Sequence, residues 1–185
     1  MRGLFVAVVF CVAVSCAQGQ QPAPSQTEKA KDPHADCPMH KAHAQDQSVM
    51  NERGTRGMGF SQTATTHHFL LKTDGGAIQV EANGTADTDS RDSIRMHLTH
   101  IAKAFSNGDF AIPMFVHDTV PPGVPVMKQL GDKITYKFEA TPTGGRVLIT
   151  TTDPRALAAV QQFLRFQIAE HETGDSTAVQ RFPMA

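Results

Sequence analysis

The chain has 185 residues, and 17 Lys and Arg against 18 Asp and Glu give it a formal net charge of −1. The length predicts one folded domain with a flexible extension. The balanced charge argues against a nucleic-acid partner, because such a partner calls for a basic surface. Hydrophobic residues make up 40% of the chain and Trp is absent, which suits a small core joined to unstructured chain.

The first 19 residues have the layout of a secretory signal peptide. Arg2 precedes an apolar run over residues 4–14, and residues 15–19 are small or polar. The run is too short for a comfortable membrane span, so cleavage and export are predicted. An alternative interpretation takes AVSC as a lipoprotein cleavage box, which would leave Cys16 lipidated as a membrane anchor. Either way the mature protein is expected in the periplasm or outside the cell.

Residues 20–60 are predicted to form a disordered arm, because their few large apolar side chains cannot bury enough surface to offset chain entropy. Cys37 is the only thiol expected to stay free after export, so it has no internal disulfide partner. It lies in the stretch HADCPMHKAH, whose sulfur and imidazole groups suit copper better than zinc. The candidate metal ligands of the arm are His34, Cys37, Met39, His40 and His43.

The run CPMH, residues 37–40, resembles the short heavy-metal-binding segment of periplasmic copper and silver efflux adaptors and of some copper pumps. The proline that usually follows the histidine in that segment is replaced by Lys41. The resemblance implies capture of a soft metal ion. The alternative is a histidine-rich exported linker with incidental affinity for metals.

The folded domain is predicted to begin with a hairpin and a helix. HHFLLKTDGGAIQVEA contains two short apolar runs joined by a turn at residues 74–76. The next segment, residues 87–109, starts with Asp and Ser capping candidates and has Gly108 near its end. Its apolar residues recur at helical spacing, at Ile94, Leu98, Ile101 and Phe105.

The same order returns in the second half. KITYKFEATPTGGRVLITT predicts a hairpin with a turn at residues 143–145, and Asp153 and Pro154 then mark the start of a helix. We therefore expect an α+β fold in which a ββα unit is duplicated, with a four-stranded antiparallel sheet and two helices packed on one face. The predicted domain spans residues 61–175, and residues 176–185 form a C-terminal tail.

Four histidines of this domain are candidate metal ligands. His97 and His100 are three residues apart on one helix flank, and His67 shares a strand face with Phe69 by alternation. His117 lies between the halves, in a segment of more than twenty residues for which we predict no regular structure. A loop of that length is a candidate functional loop. The alternative is that these histidines are packed, half-buried rings without a metal.

Several further motifs resemble a family of secreted bacterial proteins to which no activity is assigned. They are MGF, TTHHF, DGGAI, HDTVPPGVPVM and FLRFQI, and with the segments between them they span about two-thirds of the chain. The resemblance implies export and implies no reaction.

The sequence thus favours an exported, non-catalytic protein that binds a soft metal ion, with copper ahead of zinc. The arm would capture or buffer the ion, and the domain would hold a second site or contact a periplasmic protein. One alternative is a metal-dependent enzyme built on His67, His97, His100 and His117. The other is a structural or interaction module with no role for a metal.

Overall fold

The computed structural model describes the backbone of residues 38–180 and the side chains of residues 47–180. The predicted signal peptide, the lipidation candidate Cys16 and the ligand candidates His34 and Cys37 lie outside the described residues. Met39, His40 and His43 lie in a helix, and their side chains are outside the described part.

The described chain contains five helices, four strands and one short 3₁₀ turn. The helices are α1 (Pro38–Met58), α2 (Thr88–Ser106), α3 (Ala111–His117), α4 (Val124–Gln129) and α5 (Pro154–Glu170), and the 3₁₀ turn is Gly131–Lys133. The strands are β1 (Thr65–Lys72), β2 (Gly75–Ala82), β3 (Ile134–Ala140) and β4 (Gly144–Thr151).

The four strands form one antiparallel sheet in the order β1-β2-β4-β3. The α+β class and the four-stranded antiparallel sheet are therefore confirmed. Helix α2 contacts β3 and β4, whereas α5 contacts β1 and β2. The internal duplication and the packing of both helices on one face stay predictions.

Helices α2 and α5 begin at the residues that the sequence indicates. The carboxylate of Asp87 accepts a hydrogen bond from the Ser90 backbone amide at the start of α2. The carboxylate of Asp153 accepts from Arg155 N and Ala156 N at the start of α5, and Pro154 occupies the first helical position. These side chains satisfy backbone amides that have no partner within the helix.

The predicted disorder of residues 20–60 is wrong for the part that forms α1. Helix α1 contacts α3, its Met50 is buried, and Gln47 Nε2 donates a hydrogen bond to the Glu170 carbonyl at 3.0 Å. The helix ends at Gly59, whose positive φ of 80° suits a glycine. The sequence signal was weak because α1 has few apolar residues of its own, and its burial comes from docking on the domain.

The inter-half segment is also more regular than predicted, since it contains α3, α4 and the 3₁₀ turn. Both helices are shorter than eight residues, so they show little apolar periodicity. Each contains a proline, Pro113 or Pro125, and proline inside a segment argues against a helix. In α4 the proline occupies the first turn, where its missing N–H group is tolerated.

The C-terminal tail follows the outer edge of β1. Gln180 N donates to the Leu71 carbonyl at 2.9 Å, and Phe69 N donates to the Asp175 carboxylate at 2.9 Å. These bonds satisfy backbone groups of an edge strand that would otherwise be open. Within the described residues, no helix combines the length and apolar character needed to cross a membrane.

Candidate imidazole-lined site

A cavity of about 60 Å³ lies between the sheet and the helices, with room for a few water molecules. Strands β1 and β2 and helices α2, α3 and α5 line it, and Met58 at the end of α1 also contributes. The lining is apolar apart from five side chains, which are His67, His97, His117, His171 and Gln167.

His67 reaches the cavity from β1, on the face that strand alternation predicts. Its ring stacks with Phe60 at a centroid distance of 6.0 Å and with His171 at 5.7 Å. His67 Nε2 is buried and has no hydrogen-bond partner. A buried polar atom without a partner is destabilising by about 1–3 kcal/mol, so this nitrogen is an unusual feature of the apolar lining.

His97 enters from α2 and is itself buried. Phe60 packs edge-on against it at 5.6 Å, so this one phenylalanine contacts both His67 and His97. Phe60 follows α1 directly in the chain, and it is buried in the main core. The chain at the end of α1 therefore packs against two of the imidazoles through Phe60.

His117 and His171 complete the group from the other side. Their rings meet edge to face at 5.0 Å, where α3 and α5 end. His117 Nε2 lies 3.0 Å from Gln167 Oε1, whereas His117 Nδ1 has no hydrogen-bond partner. Counted over the described residues, the site thus contains two buried imidazole nitrogens without a hydrogen-bond partner, one on His67 and one on His117.

Burial keeps the four imidazoles neutral. Desolvation, together with a smaller effect of neighbouring histidines, lowers the pKa of His67 and of His97 to about 4 and that of His171 to about 3. The pKa of His117 is also lowered by burial, against the raising effects of its bond to Gln167 and of the nearby Glu170 carboxylate. A neutral imidazole keeps a lone pair on one ring nitrogen, which is the form that binds metals.

The structure brings three of the four predicted histidines to one cavity. His100 does not join them: it is exposed on α2 and does not line the cavity. Residues three apart on a helix differ in direction by about 60°, enough here to place His97 in the core and His100 in solvent. Among the described side chains, no group of three or more His, Cys, Asp or Glu is arranged to hold a metal ion.

His171 is the member of the site that sequence reasoning missed. When Gly174-Asp175 in the second half is aligned with Gly108-Asp109 in the first, His171 falls opposite Phe105, a residue of the predicted apolar stripe. Phe105 is buried, and His171 lines the cavity. That alignment was the available signal, since it put a histidine at a core position of the second half.

His68, next to His67 in the chain, has a different environment. Its Nδ1 lies 2.9 Å from the Asp175 carboxylate, and its side chain is 39% exposed. Asp175 also accepts from the backbone amide of Phe69, and together these hydrogen bonds lower the pKa of its carboxyl group, against the raising effect of burial. This pair supports the edge of β1 and takes no part in the cavity.

No protein-family model matches the chain, and searches of curated proteins and of solved structures also found no match. The resemblances drawn from the CPMH run and from the longer motifs therefore stay predictions.

Proposed function

We propose that the protein is exported and binds a soft metal ion, copper ahead of zinc, at the arm and at the imidazole-lined cavity. The observation that carries the proposal is the neutral, buried His67, whose Nε2 lacks a hydrogen-bond partner. An ion bound to this nitrogen would remove the desolvation penalty of an unpartnered polar atom. Such binding would also require no loss of a proton at neutral pH, because the imidazole is already neutral.

The lining of the cavity favours monovalent copper over zinc. A structural zinc ion takes four ligands, and the described residues offer no group of three. Cu(I) accepts fewer ligands than zinc does and prefers soft donors. The Met58 thioether in the lining is such a soft donor, imidazole is a common copper ligand, and the His171 ring stacks with that of His67 at 5.7 Å.

The arm and the cavity act as two separate sites in this proposal. Helix α1 is continuous from Pro38 to Met58, and Met58 lines the cavity. Met39 therefore lies roughly 28 Å from Met58 along the helix, at a rise of ~1.5 Å per residue. One ion cannot bind both ends of such a helix, so capture by Cys37, Met39 and His40 precedes a separate transfer step, either to the cavity or to a periplasmic partner protein.

The test is the amount of metal bound per mature protein, with Ag(I) as a redox-inert substitute for Cu(I). We compare the wild type with the pair Cys37→Ser/His40→Ala and with the pair His67→Phe/His171→Phe. His100→Phe is the matched control, because His100 is exposed and outside the cavity. We expect each double variant to lose one class of site and the control to lose neither. No metal above background in the wild type would contradict the proposal.

A structural role is the second candidate, and the aromatic packing favours it. The His67 ring stacks with Phe60, Phe69 and His171, as a core aromatic residue would. If the histidines serve packing alone, His67→Phe/His171→Phe will raise the free energy of unfolding and leave metal binding unchanged. The amount of metal bound by this variant distinguishes the two candidates, and urea unfolding of it measures the contribution of packing.

A further inference from the structure

A second concave site shares His117 with the imidazole-lined cavity. It is a groove of about 480 Å³ between α1, α3 and the end of α5. His117 and Val116 line both the groove and the cavity, so the end of α3 borders both sites. Neither the arm nor the metal proposal uses this groove.

The charges around the groove favour a cation. Glu170 and Asp118 contribute two carboxylates, and Arg53 contributes one guanidinium group, which pairs with Asp118 at 3.0 Å. Of these three charged groups, the Glu170 carboxylate is therefore the one that has no cationic side chain paired with it. Helix α5, seventeen residues long, ends at Glu170, and the negative end of its dipole adds to the attraction.

His117 provides an independent sign of a missing ligand. Its side chain is 1% exposed, and its Nδ1 lies 3.8 Å from Glu170 Oε2 without a hydrogen bond. With the Gln167 amide oxygen as the acceptor of this bond, the assigned tautomer has its proton on Nε2 and a lone pair on Nδ1. Two acceptors thus face each other, and no side chain in the described range 47–180 places a donor between them.

We propose that this groove binds a primary alkylammonium group, either of a free amine or of a lysine side chain. An ammonium group has three N–H donors and no acceptor, so it can bond to both His117 Nδ1 and the Glu170 carboxylate. Apart from Gln47, the remaining walls are apolar and suit the alkyl chain; they are formed by Val49, Met50, Val116 and Ala169. A metal ion fits less well, since no three ligand groups converge among the described side chains.

The test follows the NMR amide signals of the mature protein during titration with n-butylammonium and with n-butanol. The alcohol has nearly the same shape but no charge, so we expect it to bind at least about tenfold more weakly. Saturable shifts should appear at Val49 and Ala169. Equal binding of the two compounds, or no saturable shift with the amine, overturns the proposal.

Two variants locate the binding. Glu170→Gln should weaken butylammonium binding about tenfold, whereas Asp132→Asn, an exposed acid outside the groove, should leave it unchanged. Unchanged affinity in Glu170→Gln overturns the proposal. A short lysine peptide that binds more tightly than butylammonium identifies a protein lysine as the source, and the reverse order identifies a free amine. These measurements use no metal, so they are independent of the metal-binding proposal.

Discussion

Adjacent histidines on β1 have opposite roles because strand alternation sends them to different environments. His67 packs between Phe60 and His171, where burial removes its charge. His68 instead pairs with Asp175, which anchors the chain after α5 to the edge of the sheet. One residue of register therefore separates a candidate ligand from a structural hydrogen bond, and a slip of β1 by one position would exchange the two histidines.

Gly76 shows how tightly the central strands approach α5. A Cβ atom at this position of β2 would overlap Leu164 Cδ1 and the Leu70 carbonyl oxygen. We expect Gly76→Ala to lower the free energy of unfolding by about 2 kcal/mol or more, because overpacking here must move backbone as well as side chain. Urea unfolding measures the change. Gly131→Ala is the control, since nothing lies within 4 Å of its added Cβ atom, and equal effects of the two substitutions would contradict the packing described.

The elements that could be predicted from the sequence are those whose signals are local. The two hairpins and the helices α2 and α5 have turn glycines, capping aspartates and apolar stripes within their own residues. Helices α1, α3 and α4 are stable through docking, which no local pattern encodes. The site divides in the same way: strand alternation predicts His67, whereas His171 enters only because the end of α5 packs beside α3.

The docking of α1 is expected to depend on apolar burial more than on its ion pair. Met50 is buried, whereas Arg53 pairs with Asp118, whose side chain is 78% exposed. We therefore expect Met50→Ala to destabilise the docked helix by about 2–3 kcal/mol and Arg53→Ala by at most ~1 kcal/mol. Hydrogen exchange of α1 amides reports the local opening. A larger effect of Arg53→Ala would show that the ion pair, not the burial, holds α1.

Phe60 couples the end of α1 to the imidazoles, since it contacts both His67 and His97. We expect Phe60→Ala to lower the free energy of unfolding by about 3 kcal/mol. It should also raise the pKa of both histidines toward 6.5, because burial is the main cause of their lowered values. NMR titration of the imidazole protons measures the pKa directly. Phe115→Ala, on a half-exposed ring of α3, is the control and should change neither pKa.

At the scale of the whole molecule, the fold concentrates uncharged histidines in its interior and keeps its carboxylates at helix starts and edges. Asp87 and Asp153 cap helices, and hydrogen bonds from backbone amides lower the pKa of both carboxyl groups. Their contribution to stability is lost only as the pH falls below about 4, the ordinary pKa of Asp. The buried histidines respond in a separate and higher range of pH.

We expect the protein to lose stability as the pH falls from about 6.5 toward 4. In that range the unfolded chain protonates its histidines at their ordinary pKa of 6.5, whereas folded His67, His97 and His171 stay neutral, with pKa values of about 4, 4 and 3. The unfolded state therefore binds more protons, and each group lowers the free energy of unfolding by about 1 kcal/mol per pH unit. Above pH 6.5 both states are neutral and the effect vanishes. Urea unfolding at pH 7, 6 and 5 measures this slope. The variant His67→Phe/His171→Phe should flatten the slope, and His100→Phe should leave it unchanged. A wild-type free energy of unfolding that stays level across this range would show that the imidazoles are not buried as described.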